Sequence, residues 1–227
     1  MLNLTAAAGV FVLMHLLVSG TRVRDGLVGR LGEGAYMGLF SLASLAAIVW
    51  MASAYGPARA DNLVWWGAEP ATRVAALVVQ LLAFLLIVPG LLTPNPTSVK
   101  QEGALDRPDP ARGVLRITRH PFLWGVAIWA AGHLLVNGDL ASLLLFGALL
   151  ALSVLGTASI DAKRLRALGP KYQAFTEQTS TLPFAAILAG RQTLKPAELG
   201  WRLPVALAVY AAALWAHRLF AGVPAVG

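Results

Sequence analysis

Residues 120–159, HPFLWGVAIWAAGHLLVNGDLASLLLFGALLALSVLGTAS, decide the fold class. Two apolar runs, His120–Val136 and Leu140–Ser159, are joined by Asn137-Gly138-Asp139 alone, and Asp139 is the one formal charge in the stretch. So short a polar link between long apolar runs predicts a tight antiparallel helical hairpin. A hydrocarbon core about 30 Å thick takes about 20 apolar helical residues to cross. The hairpin is therefore of membrane-spanning size.

The rest of the chain repeats the pattern. Its 227 residues are 57% hydrophobic and 13% charged, where a soluble domain carries about 25% charged residues. Charge-free windows predict four further spans, at Leu2–Gly20, Gly34–Tyr55, Val74–Leu92 and Leu203–Leu219. The fourth span, His120–Val136, can begin near Val114 if Arg116 and Arg119 reach for the interface. The expectation is an all-α integral membrane protein, a six-helix transmembrane bundle forming one domain over residues 1–227. Thr93-Pro94-Asn95-Pro96 ends the third helix, because neither proline can continue it. Between spans five and six, Asp161–Gln178 is expected to form an amphipathic helix on the cytoplasmic membrane surface. Met1–Thr21 lacks a basic head and a small-residue cleavage site, so it is read as the first helix rather than a signal peptide.

Charge sets the orientation. The net charge is +7, and a topological cause explains it better than nucleic acid does. The loops after spans one, three and five hold fifteen of the eighteen Lys and Arg residues, which predicts both termini outside the cytoplasm. There is no cysteine, which excludes disulfides, thiolate nucleophiles, cysteine-held zinc and iron–sulfur clusters. The spans lack the carboxylates that a proton-coupled transporter needs.

All four histidines, His15, His120, His133 and His217, fall in expected spans. Ionisable groups at membrane depth are by default candidates for function, and the competing reading is a hydrogen-bonded packing residue. Without cysteine, imidazole is the only strong transition-metal ligand available here. Two histidines facing across a helix bundle make a haem site, while zinc needs three or four ligands. His15 shares a helical stripe with Phe11, Ser19 and Arg22, His133 has Trp129 and Asn137 one turn either side, and His217 sits above Ala213 and Tyr210. The topology puts His15 and His120 toward the cytoplasm and His133 and His217 toward the other side. Trp124 and Trp129 are deep enough to pack on a ring ligand, whereas Trp65, Trp66 and Trp201 read as an interfacial belt. Gly32, Gly34 and Gly38 are expected to permit close helix approach.

Arg116-Ile117-Thr118-Arg119-His120-Pro121 is the densest polar cluster at a span entrance. It reads either as positive-inside arginines before a helix-starting proline or as a cytoplasmic anion or cofactor pocket, with Arg119 and His120 as binding residues. Asp161, Lys163, Arg164 and Tyr172 lie on the same side, with Lys163 and Arg166 read as headgroup contacts.

These fragments, taken in order, resemble a family. The likeness runs from His15 with Ser19-Gly20, through Asn95-Pro96, Arg116–Pro121 and Gly132–Gly138, to Pro183–Ile187, Gly190-Arg191-Gln192 and Arg202-Leu203-Pro204. It is similar to the NnrU-type membrane proteins, which include 15-cis-zeta-carotene isomerase of plants and cyanobacteria. The resemblance implies a haem b protein of the bacterial inner membrane. It implies iron held by residues matching His15 and His133; because the topology sets these two at different depths, His120 and His217 stand as substitutes. It also implies either redox-linked cis–trans isomerisation of an apolar polyene, entering from the lipid, or an accessory role in nitrite and nitric oxide metabolism. The isomerase branch carries a cysteine three residues before the second histidine, where this chain has Ala130. A more distant likeness is to the S-adenosylmethionine-dependent membrane methyltransferases of isoprenylcysteine and phospholipids. It rests on Arg119, His120, Pro121, Gly125, Asp161, Leu168, Gly169, Tyr172 and Pro183, with Asp161 standing where those enzymes usually have glutamate.

Overall fold

The structure is a computed structural model that describes residues 1–225. Its elements are almost all helices. Helix α1 (Leu2–Leu13) passes without a break into a π-helical turn at Met14–Ser19 and is followed by α2 (Arg22–Leu31) and α3 (Glu33–Ala58). A short strand β1 (Val64–Trp66) precedes α4 (Pro70–Leu92), and α5 (Pro121–Val136), β2 (Gly138–Asp139) and α6 (Leu140–Leu168) follow. The chain closes with α7 (Pro170–Gln178), α8 (Ala185–Leu188) and α9 (Arg202–Ala221).

Among the described residues, four helical segments are long and apolar enough to cross a membrane: Leu2–Ser19, Glu33–Ala58, Pro70–Leu92 and Leu140–Leu168. Helix α5 is apolar but has only 16 residues, a rise of about 24 Å against a core of about 30 Å. The outward faces are apolar, with Leu39, Leu42 and Leu45 on α3 and Val74, Val78 and Leu82 on α4 all more than half exposed. Where α1, α3 and α6 meet, the core is built from Leu4, Phe11 and Met51 among Ala7, Ala8, Ala47, Ala54 and Ala141. Small residues let helix backbones approach where burial from water gives no extra driving force. A second core joins Leu86 of α4 to Leu105, Val114, Leu115, Tyr172 and Phe175 beneath the bundle.

The expected hairpin forms. Asn137 caps the end of α5, and the Asp139 side chain caps α6 by accepting from Ser142 N. Its tip is reinforced by a contact the sequence did not announce, since β1 pairs antiparallel with β2. Trp66 donates from Nε1 to Leu134 O at 3.0 Å. Its ring lies so close to Gly138 that a Cβ there would sit 1.9 Å away. Trp66 is therefore a clamp on the hairpin as well as an interfacial side chain.

Two expectations are corrected. Asp161–Gln178 is not one surface helix. Asp161–Leu168 is the end of α6, which runs on for nine residues past Ser159, and the chain then turns at Gly169 (φ +53°) before Pro170 starts α7. The glycine stripe is also elsewhere. A Cβ at Gly32, Gly34 or Gly38 would meet nothing within 4 Å. The close approach is between α4 and α5, where a Cβ at Gly125 would lie 2.5 Å from Ile87 Cγ1 and 2.9 Å from Ile87 N.

Candidate functional site

The α5–α6 hairpin carries a polar group of residues at each end. At the end where α5 begins, Pro121 occupies the first helical turn and turns the preceding Arg119 and His120 toward α6. Their common target is Asp161. Arg119 grips its carboxylate with Nε (3.1 and 2.9 Å) and Nη2 (2.6 Å), His120 Nε2 lies 2.8 Å from Oδ1, and Tyr172 OH donates to Oδ1 at 2.6 Å. Thr181 Oγ1 adds a bond of 3.2 Å. A carboxylate accepts only, so His120 carries its proton on Nε2, which leaves the buried Nδ1 without a partner among the described residues. Burial, and then the Asp161 carboxylate, push the Tyr172 phenol up from its ordinary value, so it stays a donor. Around this knot Asn95 Nδ2 and Thr97 Oγ1 both donate to Arg119 O.

Two further arginines here are structural. Arg116 is 5% exposed and binds Glu198 (2.8 and 2.9 Å), Gln192 (2.7 Å) and Asp109. Arg164 is buried against Glu102 and Ser98 O. A cavity of about 180 Å³ opens beside them, lined by Arg107, Arg112, Arg202, Asp109 and Glu198 rather than by Arg119, His120 or Asp161.

The other end is built from imidazole and aromatic rings. His133 packs against Trp129 (ring centroids 4.4 Å) and lies nearly parallel to Phe146 (4.6 Å, 19°). Its Nδ1 is 2.9 Å from both Trp129 O and Gln80 Nε2. His217 of α9 comes next, with centroids 6.4 Å apart and planes at 21°. Gln80 is a site residue that sequence reasoning missed. Its signal was a single uncharged amide inside the apolar run of α4, which a charge count passes over.

His15 lies apart from this group. It sits in the π-helical turn, a feature that recurs at functional sites, with Nδ1 2.7 Å from Phe11 O and Nε2 3.4 Å from Ser44 Oγ. Its ring neighbours are Phe11 and Phe40 (4.5 and 5.2 Å). The structure thus brings Trp129, His133 and His217 together, and Arg119 with His120, and gives His15 a separate packing environment.

The donor set fits haem better than a closed metal-ion site. No group of three or more His, Cys, Asp or Glu that could hold a metal ion occurs among the described residues. The Nδ1 atoms of His15, His133 and His217 each sit at a backbone carbonyl, of Phe11, Trp129 and Val223 respectively. A ligating histidine characteristically donates its second ring N–H to such an acceptor, which fixes the ring and directs the other nitrogen to the metal.

Fold and sites together define a helical protein with helices long and apolar enough to cross a membrane and histidines placed among them. The chain belongs to the NnrU family, whose description, NnrU protein, matches residues 3–225. It is 27% identical over 204 residues to the chloroplastic 15-cis-zeta-carotene isomerase of Arabidopsis thaliana, covering 85% of this chain and 54% of that protein. It is 26% identical over 190 residues to the enzyme of the same name from Zea mays, covering 82% and 50%. The chain thus spans about half the length of these curated relatives. No solved structure matches it.

Proposed function

We propose that this chain is a haem b-binding protein of the bacterial inner membrane that isomerises an apolar polyene in a redox-linked way. The observation that carries the reading is His133, an imidazole whose Nδ1 lies 2.9 Å from Trp129 O and whose ring is enclosed by those of Trp129 and Phe146. The names of the two curated relatives support a 15-cis-carotene as the class of substrate. In this reading α5 and α9 also cross the bilayer, giving six spans with both termini outside, as the distribution of Lys and Arg indicates.

When bound, the haem would supply reversible one-electron redox chemistry and a coordination position able to meet a conjugated chain. The protein's part is binding and exclusion. His133 would hold the group through Nε2, with its Nδ1 proton directed to the Trp129 carbonyl. Trp129 and Phe146 keep water from the ring, and the lipid-facing leucines of the bundle leave the polyene an apolar way in. Ala130, fully buried one turn before His133, offers no thiolate, so any redox-linked change of ligand works without a cysteine.

The test is the absorption spectrum of detergent-purified protein supplied with hemin, oxidised and then dithionite-reduced, followed by incubation with 15-cis-zeta-carotene in liposomes. A sharp Soret band with reduced α and β bands, and loss of the 15-cis isomer on chromatography, are expected. A colourless protein overturns the haem reading. A red protein that leaves the polyene unchanged overturns the isomerase reading and favours an accessory role in nitrite or nitric oxide metabolism.

The convergence of Arg119, His120 and Tyr172 on Asp161 also gathers the residues behind the methyltransferase likeness. Each is already bonded to another member of the group, and none of the four lines the neighbouring cavity of about 180 Å³. Titration with S-adenosylmethionine tests this second reading, and micromolar binding lost in His120→Ala is the result that would establish it.

A further inference from the structure

We propose that the arginine-lined cavity beside Arg116 binds an anionic phospholipid, with the headgroup phosphate in the cavity and an acyl chain over the end of α4. This site is independent of the haem reading. Arg107, Arg112 and Arg202 line the cavity together with Asp109 and Glu198. Its two carboxylates are already engaged. Arg116, itself buried, holds Glu198 through Nε (2.8 Å) and Nη2 (2.9 Å), and Asp109 through Nη2. Among the described residues, no ion pair involves Arg107, Arg112 or Arg202. Three guanidiniums therefore line one small cavity without a carboxylate of their own.

The arginines are also held in place before any ligand arrives. Arg107 and Arg112 flank Pro108-Asp109-Pro110, where each proline fixes a backbone angle and Asp109 is tied back to Arg116. Arg202 Nε donates to Leu92 O at 3.1 Å, which leaves its terminal nitrogens for a ligand. A guanidinium is charged at any physiological pH, and its planar fork of donors matches the oxygens of a phosphate.

Free phosphate would satisfy the arginines alone, but the surroundings favour a lipid. Leu92, the acceptor for Arg202, ends a helix long and apolar enough to cross a membrane, so the cavity stands at headgroup level. A second hollow, of about 410 Å³, shares Pro94 and Arg107 with the first. Leu91 and Leu92 line it, and both are exposed. Trp201 is exposed as well, with the Arg202 guanidinium 5.1 Å from its ring centroid, and tryptophan is enriched at the membrane interface. The polar cavity and the apolar shelf meet at Pro94 and Arg107, in the order in which a phospholipid presents phosphate and chain. Basic pockets at the ends of membrane helices recognise anionic headgroups on this principle.

The experiment is native mass spectrometry of the full chain, delipidated in a phospholipid-free detergent. It is titrated with phosphatidylglycerol, with zwitterionic phosphatidylcholine of the same chains, and with phosphatidylglycerol plus equimolar inorganic phosphate. A single phosphatidylglycerol per chain is expected, bound more tightly than phosphatidylcholine and not displaced by the phosphate. Arg107→Gln or Arg112→Gln alone should weaken it about 5-fold, and the two together about 30-fold, the typical worth of basic residues near a membrane surface. Both side chains are exposed and unpaired, so the double variant should keep the wild-type unfolding midpoint in lipid-free detergent. Arg30→Gln/Arg166→Gln removes two exposed arginines outside the cavity and should bind as wild type. Equal affinity for the two lipids, or no retained lipid, overturns the proposal. An equal loss in the Arg30 and Arg166 control also overturns it, because attraction would then belong to the charged surface as a whole. Displacement by equimolar phosphate assigns the cavity to the free anion and overturns the lipid.

Discussion

The two ends of the α5–α6 hairpin use histidine in opposite ways. At the Asp161 end, His120 is 2% exposed and is one of several donors converging on a single carboxylate. Apart from His120 Nδ1, the polar groups of that knot find partners, and it ties α5, α6, α7 and the Thr179–Leu182 loop together. At the other end, the Nδ1 atoms of His133 and His217 sit at backbone carbonyls, with His133 among aromatic rings. A charge knot resists rearrangement because each member that moves strands another. An imidazole among aromatic rings lacks that web of charge, which under the haem reading leaves this end the easier one to open around a planar ring. The first end is a staple and the second is a socket.

The largest effect should come from breaking the staple. Asp161→Ala leaves the Arg119 guanidinium, His120 and Tyr172 OH facing one another without their acceptor. Removing one partner of a buried ion pair costs about 3–5 kcal/mol. Thermal unfolding in detergent should show Asp161→Ala as the least stable single variant of the bundle. At a temperature where it is still folded, it should take up hemin with the wild-type spectrum, because His133 lies at the far end of the hairpin. A full-strength unfolding midpoint in this variant would show that the knot is not a staple.

A matched pair of glycine changes separates the two ends more finely. At Gly125 an added Cβ meets the α4 backbone, 2.9 Å from Ile87 N and 3.0 Å from Ala83 O, which cannot move without separating the helices. Gly125→Ala should cost about 1–3 kcal/mol, in line with overpacking elsewhere. At Gly132 the added Cβ meets Gln80 Nε2 at 2.7 Å, the far end of a side chain that can swing aside. That amide also donates to Trp129 O and lies 2.9 Å from His133 Nδ1. Gly132→Ala should therefore unfold close to wild type while altering the spectrum or lowering the affinity for hemin. Second-shell changes of this kind typically cost about 10–100-fold in metal affinity. Equal stability losses at the two glycines would remove the distinction between staple and socket.

The legibility of the two ends in the sequence was also unequal. The hairpin was plain from Asn137-Gly138-Asp139 between two apolar runs, because a three-residue link permits little else. The helix ends there and in α1, α3 and α9 follow charge-free windows to within a few residues. The extent of α6 was not legible. Asp161, Lys163, Arg164 and Arg166 read as the start of a separate helix on the membrane surface, whereas they end α6, with Asp161 partly buried and Arg164 buried against partners at Arg119 and Glu102, far away in the chain. A window sees a charge but not the opposite charge that neutralises it. The glycines misled for a related reason, since their spacing says where close approach is possible, and only the partner helix says where it happens. The socket was half visible, as four histidines in apolar stretches, but depth alone could not choose among them.

The smallest effect is expected from acid, and it falls on the staple end. Glu198 is held at a pKa of about 2, below its ordinary value of 4.5, first by the hydrogen bond from Arg116, against the opposing cost of burial, and then by Gly113 N. A carboxylate lowered by folding contributes stability that is complete above its unfolded pKa and is lost as pH falls through the folded one. The Arg116–Glu198 contribution should thus be full at neutral pH and fade between about pH 4.5 and pH 2. Glu198→Gln removes the titration. Its unfolding midpoint should lie below that of wild type at pH 7, and the gap should narrow as pH drops through that window. Parallel curves for the two proteins would mean that Glu198 titrates as it does in the unfolded chain. The ion pair beneath the bundle would then be incidental to what holds this end together.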